Sequence, residues 1–134
     1  MILKFMNTGS RDNFLLNSRP VIKCVEISNT EEFVVEDFQN NVLRPILKFQ
    51  NDLFIKLFIK YLHTKQAFKT LELEVKLKVI DNNFKRNSSL RQLLLGSVIA
   101  FFTTEEFITY DNFTYEINKR IFSMLKARLK DQLT

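Results

Sequence analysis

The sequence predicts an all-α protein: a single compact bundle of four to six helices with an extended N-terminal arm. Three observations lead there. The 134 residues include only 2 Gly and 2 Pro, whereas a sandwich or barrel of strands needs many turns built from those residues. Apolar side chains recur every three or four positions over long stretches, which is the helical period. Apolar residues make up 46% and charged residues 26% of the chain, the balance of one ordinary globular domain that folds without disulfide or metal support.

Residues 1–20 mix Asn, Ser, Gly and Arg with scattered apolar groups and show no period. The arm, 1–29, is therefore expected to be loosely ordered or packed as extended chain. Its start is no secretory signal, because Lys4 breaks the apolar residues and no apolar region of about 7–15 residues follows. "VIKCVEI", 21–27, alternates well enough for a short strand but has no evident partner, which favours an extended tether.

The helical domain spans 30–134. Ser28, Asn29 or Thr30 can cap its first helix, and Glu31 and Glu32 stand in the first turn, where the helix dipole favours anions. Pro45 lacks a backbone donor and crowds the carbonyl four residues back, so the helix is expected to kink or restart there. "LRPILKFQNDLFIKLFIKYL", 43–62, carries Arg44, Lys48, Asp52, Lys56 and Lys60 as one stripe at four-residue spacing. Leu43, Ile46, Leu47, Leu53, Phe54, Leu57, Phe58, Tyr61 and Leu62 fill the other side. A helix apolar around most of its circumference belongs at the centre of a domain. It is too often interrupted by charge to be a membrane span, which needs roughly 18 apolar residues in a row.

Residues 71–79 alternate like a strand, but Leu, Glu and Lys are strong helix formers, and the helical reading is preferred to a β-hairpin with 21–27. In the next segment Ser88 or Ser89 caps, and Leu90, Leu93, Leu94, Val98, Ile99 and Phe102 face inward. Gly96 costs about 1 kcal/mol relative to Ala, which predicts the close approach of another backbone. Thr103 and Glu106 have capping-box spacing and open a short helix to about Tyr110. In the last helix Phe113, Ile117, Ile121, Leu125, Leu129 and Leu133 recur every four residues.

The chemistry-bearing residues are few. His63 is the only histidine and has no nucleophile motif near it, so a capping or surface role is expected. Cys24 is the only cysteine; it excludes an internal disulfide and suits a cytoplasmic location. One His and one Cys cannot fill a zinc site, and two Gly cannot form a phosphate loop, so no metal and no cofactor are expected. "FQNDLF" interrupts an apolar helix with polar groups. It has two readings: a buried Gln50 amide satisfied by carbonyls freed near Pro45, or a polar pocket of Arg44, Gln50, Asp52, Arg91 and Arg120. The net charge of +5 is spread along the chain; the nearest basic clusters, Lys85, Arg86, Arg91, Lys119, Arg120, Lys126 and Lys130, are the candidates for nucleic-acid contact.

"FQNNVLRPILKFQNDLFI", "LRQLLLGSVIAFFTTEEF" and "INKRIFSMLKARLKDQL" resemble a family of small uncharacterised bacterial helical proteins over about 30–133. Some members of that family carry the label glyoxalase. Metal-dependent glyoxalases hold their ion with several His and Glu ligands or a His-rich motif, whereas this chain has one His in a helical pattern.

These readings lead to a small intracellular, non-catalytic helical interaction module that binds a protein partner or forms a homodimer, with no membrane span. The alternatives are a weakly basic nucleic-acid- or ribosome-associated protein, and a small enzyme or ligand-binding protein with its site at Arg44, Gln50 and Asp52.

Overall fold

A computed structural model describes residues 2–20 and 31–134, with the side chains of 9–20 and 32–134. The tether at 21–27, Cys24 and the caps at 28–30 lie outside the described residues. Every regular element among those described is helical. They are α1 Ile2–Ser18, α2 Glu31–Phe38, a π turn Gln39–Leu43, α3 Arg44–Phe49, α4 Asn51–Tyr61, α5 Leu73–Arg86, α6 Ser88–Ile99, α7 Thr104–Asn112 and α8 Thr114–Leu133. A 3₁₀ turn, Phe68–Thr70, precedes α5. Since α2, the π turn and α3 run on as one helix, the body has six helices and α1 is a seventh.

The π turn is the chain's answer to Pro45. A proline ring presses on the carbonyl four residues back, and its missing N–H leaves the helix ladder one bond short. Widening the preceding turn relieves both effects: the Arg44 N–H reaches the Gln39 carbonyl, five residues back. The helix therefore passes through Pro45, which is buried. It bends instead at Gln50, whose backbone (φ −95°, ψ 7°) separates α3 from α4. The ladder survives on either side: Gln50 N–H donates to Ile46 O at 2.9 Å, and Phe54 N–H donates to Gln50 O at 3.0 Å.

Arg44, Lys48, Asp52, Lys56 and Lys60 are all exposed, as their spacing requires, while Ile46, Leu47, Phe54 and Phe58 are buried. Against them pack Val35, Phe38 and Val42, Ile80 and Phe84 of α5, Leu94 and Val98 of α6, and the α8 row Ile117, Ile121, Leu125 and Leu129. Phe58 joins the layers: its ring stacks on Phe84 (centroids 6.1 Å apart, planes at 15°) and takes Phe68 edge-on at 6.3 Å.

The helical reading of 71–79 holds from Leu73 onward, while Leu71 and Glu72 are extended. Leu73 and Val75 point to solvent, and the inward face of α5 is Ile80, Asn83 and Phe84. The buried Asn83 binds the end of the preceding chain like a clasp. Its Oδ1 accepts from the His63 N–H at 2.7 Å, and its Nδ2 donates to the His63 carbonyl at 3.1 Å and the Val79 carbonyl at 2.8 Å. Asn87, also buried, donates to the Tyr61 carbonyl and to Asn83 Oδ1. Asn87 is also the cap of α6, accepting from the Leu90 N–H at 3.1 Å, in place of Ser88 or Ser89. Gly96 departs from expectation: it is exposed, and a Cβ there would meet nothing within 4 Å. Leu93 also lies largely outward.

The arm is where sequence and structure differ most, since residues 2–18 are helix rather than loose or extended chain. Arg11, Leu15 and Arg19 recur every four residues and face the α6–α7 corner. Leu15 is buried. Arg11 donates to the Ala100 and Phe102 carbonyls at 2.9 and 3.0 Å, and Arg19 to the Phe101 carbonyl at 2.6 Å. Three successive carbonyls at the negative end of α6 thereby receive cationic donors. On the other side of the corner Asp12 accepts from the Thr104 N–H and hydroxyl at the start of α7, where an anion is favoured. Arg19 also grips both oxygens of Glu106 at 2.6 Å. Glu106 and Thr103 form the expected capping box.

Candidate anion-binding groove

The inner row of α8 faces the core, and its outer side carries Lys119, Phe122, Ser123 and Lys126. These residues lie three and four positions apart, so they share one face. α5 brings Asp81, Phe84 and Lys85 to the same place with the same spacing, and the first turn of α6 adds Arg91. Together the three helices enclose a groove of about 770 Å³.

Four cations, Lys85, Arg91, Lys119 and Lys126, thus line it from three helices, with Asp81 as the single carboxylate in the lining. Lys130, one turn beyond Lys126, reaches Asp81 Oδ1 at 2.8 Å, and Lys126 stands 3.7 Å from the same oxygen. The Lys130 hydrogen bond, with both ammonium charges behind it, holds the Asp81 carboxyl below its ordinary range against the opposing pull of desolvation. The floor is aromatic. Phe122 is half-buried and meets Phe84 at 6.4 Å with planes at 70°. The Arg91 guanidinium lies over the Phe122 ring, 5.9 Å from its centroid. Arg91 Nε is buried and has no acceptor among the described residues.

A second cavity, of about 640 Å³, continues along α8, sharing Lys119 and Ser123 with the first. Its lining is mixed in charge: Glu32 and Glu116 line it together with Lys119 and Arg120.

The polar pocket built on "QND" does not assemble. Arg44 and Asp52 stand on the exposed stripe, because four-residue spacing keeps them on the outer side of α3 and α4. Gln50 is half-buried rather than buried and occupies the bend itself; the π turn, not its amide, compensates for Pro45. Arg120 donates to Gln39 Oε1 at 2.7 Å, and Arg91 belongs to the groove. The neighbour Asn51 makes the polar link at this end. It exchanges amide hydrogen bonds with Gln132, both at 2.7 Å, and accepts from Arg128 at 3.2 Å. Burial, and after it the nearby Arg44 charge, lowers the affinity of Arg128 for its proton.

Of the basic candidates, Lys85, Lys119 and Lys126 meet in the groove with Arg91, and Lys130 joins through Asp81. Arg86 instead lines a small recess with His63 and Asn82. The His63 side chain is exposed, and it is the backbone of His63 that Asn83 binds. Lys119 and Lys85 were recognisable only as members of scattered basic clusters; Phe122 and Asp81 carried no signal, since each reads as an ordinary member of an amphipathic helix.

Among the described residues no group of three or more His, Cys, Asp and Glu side chains could hold a metal ion. No helix among them is long and apolar enough to cross a membrane. Comparison with protein-family models, with curated proteins and with solved structures gives no match.

Proposed function

We propose that this chain is a non-catalytic binding module whose ligand is a polyanion, and specifically nucleic acid. The observation that carries this reading is the convergence of Lys85, Arg91, Lys119 and Lys126, from three helices, on a groove lined by only one carboxylate. A cleft lined by one sign of charge raises the local concentration of an oppositely charged partner. Phosphates bound there release counterions, so affinity should fall with salt. Four cations engaging a single strand give a log–log slope of about −3, at about −0.7 per phosphate neutralised. The test is fluorescence anisotropy with labelled oligonucleotides across a salt series, with heparin retention alongside. The joint substitution Lys119→Glu and Lys126→Glu should abolish binding while leaving the far-ultraviolet circular dichroism unchanged. Flat salt dependence, or binding indifferent to that pair, would remove the reading.

A protein partner, or a second copy of this chain, is the second reading. Tyr61 at the end of α4 and Leu93 of α6 are exposed and line one recess, apolar groups that a partner could cover. Sedimentation velocity over a concentration series tests self-association. A single monomer boundary throughout would discard the homodimer.

A further inference from the structure

We infer that the groove takes a single strand of nucleic acid rather than a duplex, with one base stacked against Phe122. The inference rests on the polyanion reading of the same groove. Its basis is the aromatic floor beneath the cations. The Phe122 ring is half-buried between α5, α6 and α8, flanked by Phe84 edge-on and covered by the Arg91 guanidinium at 5.9 Å. Paired bases expose only their edges, and a protein reads them by placing a convex helix or ribbon in a duplex groove. Here the reading surface is concave and the ring lies on its floor, so only an unstacked base can reach it. Single-strand binders combine these two features, a basic groove that tracks the backbone and aromatic rings on which bases stack.

The parts divide accordingly. Lys85 of α5 and Lys119 and Lys126 of α8 flank the floor and hold phosphates. Arg91 sandwiches the base from the side opposite the ring, or moves aside to bond a phosphate, and only that second movement would bring its buried Nε, unpartnered among the described residues, within reach of an acceptor on the ligand. Stacking is indifferent to sequence, so binding should be broad in base identity. DNA and RNA share this chemistry, and separate arms of the experiment distinguish them.

The experiment compares oligothymidylate and oligouridylate of about ten nucleotides with a duplex of equal length, at one salt concentration. At least one single strand should bind roughly ten-fold or more tighter than the duplex. Phe122→Leu should weaken single-strand binding by roughly 5- to 150-fold, the range expected for truncating one stacking ring, with duplex binding unchanged. Phe122→Tyr keeps the ring and should restore affinity, which separates stacking from a packing defect. The chain has no Trp, so Phe122→Trp adds a single reporter whose fluorescence should be quenched as a base stacks on it. Equal affinity for strand and duplex, or single-strand binding indifferent to Phe122→Leu, overturns the inference. If binding is nonetheless lost with the Lys119→Glu and Lys126→Glu pair, the polyanion reading stands without it. If neither single strand, duplex nor heparin binds, both fall together.

Discussion

Asn83 shows how one side chain replaces a turn motif. The chain leaving α4 must find partners for its freed backbone groups, and Asn83 supplies an acceptor and a donor to the two sides of one residue, His63. It is nearly inaccessible to solvent, at 3%, so nothing but protein can take its place. Leucine has the same branched skeleton but no polar atoms. Asn83→Leu should therefore cost about 1–3 kcal/mol by leaving buried groups unpaired, whereas the same change at the exposed Asn82 should stay within about 0.5 kcal/mol. Urea denaturation of the two variants measures the difference, and equal midpoints would mean that water reaches the His63 backbone after all.

α1 illustrates an element held by polar contacts more than by its own propensity. Among its described side chains the buried apolar one is Leu15, while Phe14 and Leu16 face solvent. Arg11, Asp12 and Arg19 do the rest by matching charge to the opposed ends of α6 and α7. The Arg19–Glu106 pair is the most enclosed of these links, with side-chain exposures of 8% and 15%. Removing one partner of a buried pair strands the other, at a cost of about 3–5 kcal/mol. Arg19→Ala should thus release α1: its amides should exchange hydrogen at the rate of a free helix, while α4 to α8 keep their protection. Arg19→Lys keeps the charge but not the two-pronged geometry and should fall between. Unchanged protection in α1 after Arg19→Ala would show that Leu15 and Arg11 suffice.

At the scale of the whole molecule the bundle is centred where α4, α5 and α8 pack with α6. Phe58 is fully buried there and touches the rings of Phe68 and Phe84. Its neighbour Leu57 is only half-buried. The two positions read alike from the apolar run that contains them, but the structure separates them. Phe58→Ala should cost about 3–5 kcal/mol, and Leu57→Ala less than about 2 kcal/mol, in proportion to the smaller apolar area it covers. Thermal or chemical denaturation of both variants checks the order. Equal losses would mean that α4 is turned in the bundle relative to the orientation described.

What was legible in the sequence is what a helix's period carries. The row Ile117, Ile121, Leu125 and Leu129 faces inward, Arg44 to Lys60 faces outward, and Thr103 with Glu106 opens α7. Each of these depends only on residues within one or two turns of each other. The alternation at 71–79 also yielded to local propensity. What the tertiary structure alone decided involves residues far apart in the chain: Asn83 closing on His63, Arg11 and Arg19 finding the carbonyls of Ala100, Phe101 and Phe102, and Lys85, Arg91 and Lys119 converging on the groove floored by Phe122. A helical period says which side of a segment turns inward, but not which segments become neighbours. That choice rests on how ridges of side chains fit and on which buried polar groups find partners, and both are settled only once the helices have packed.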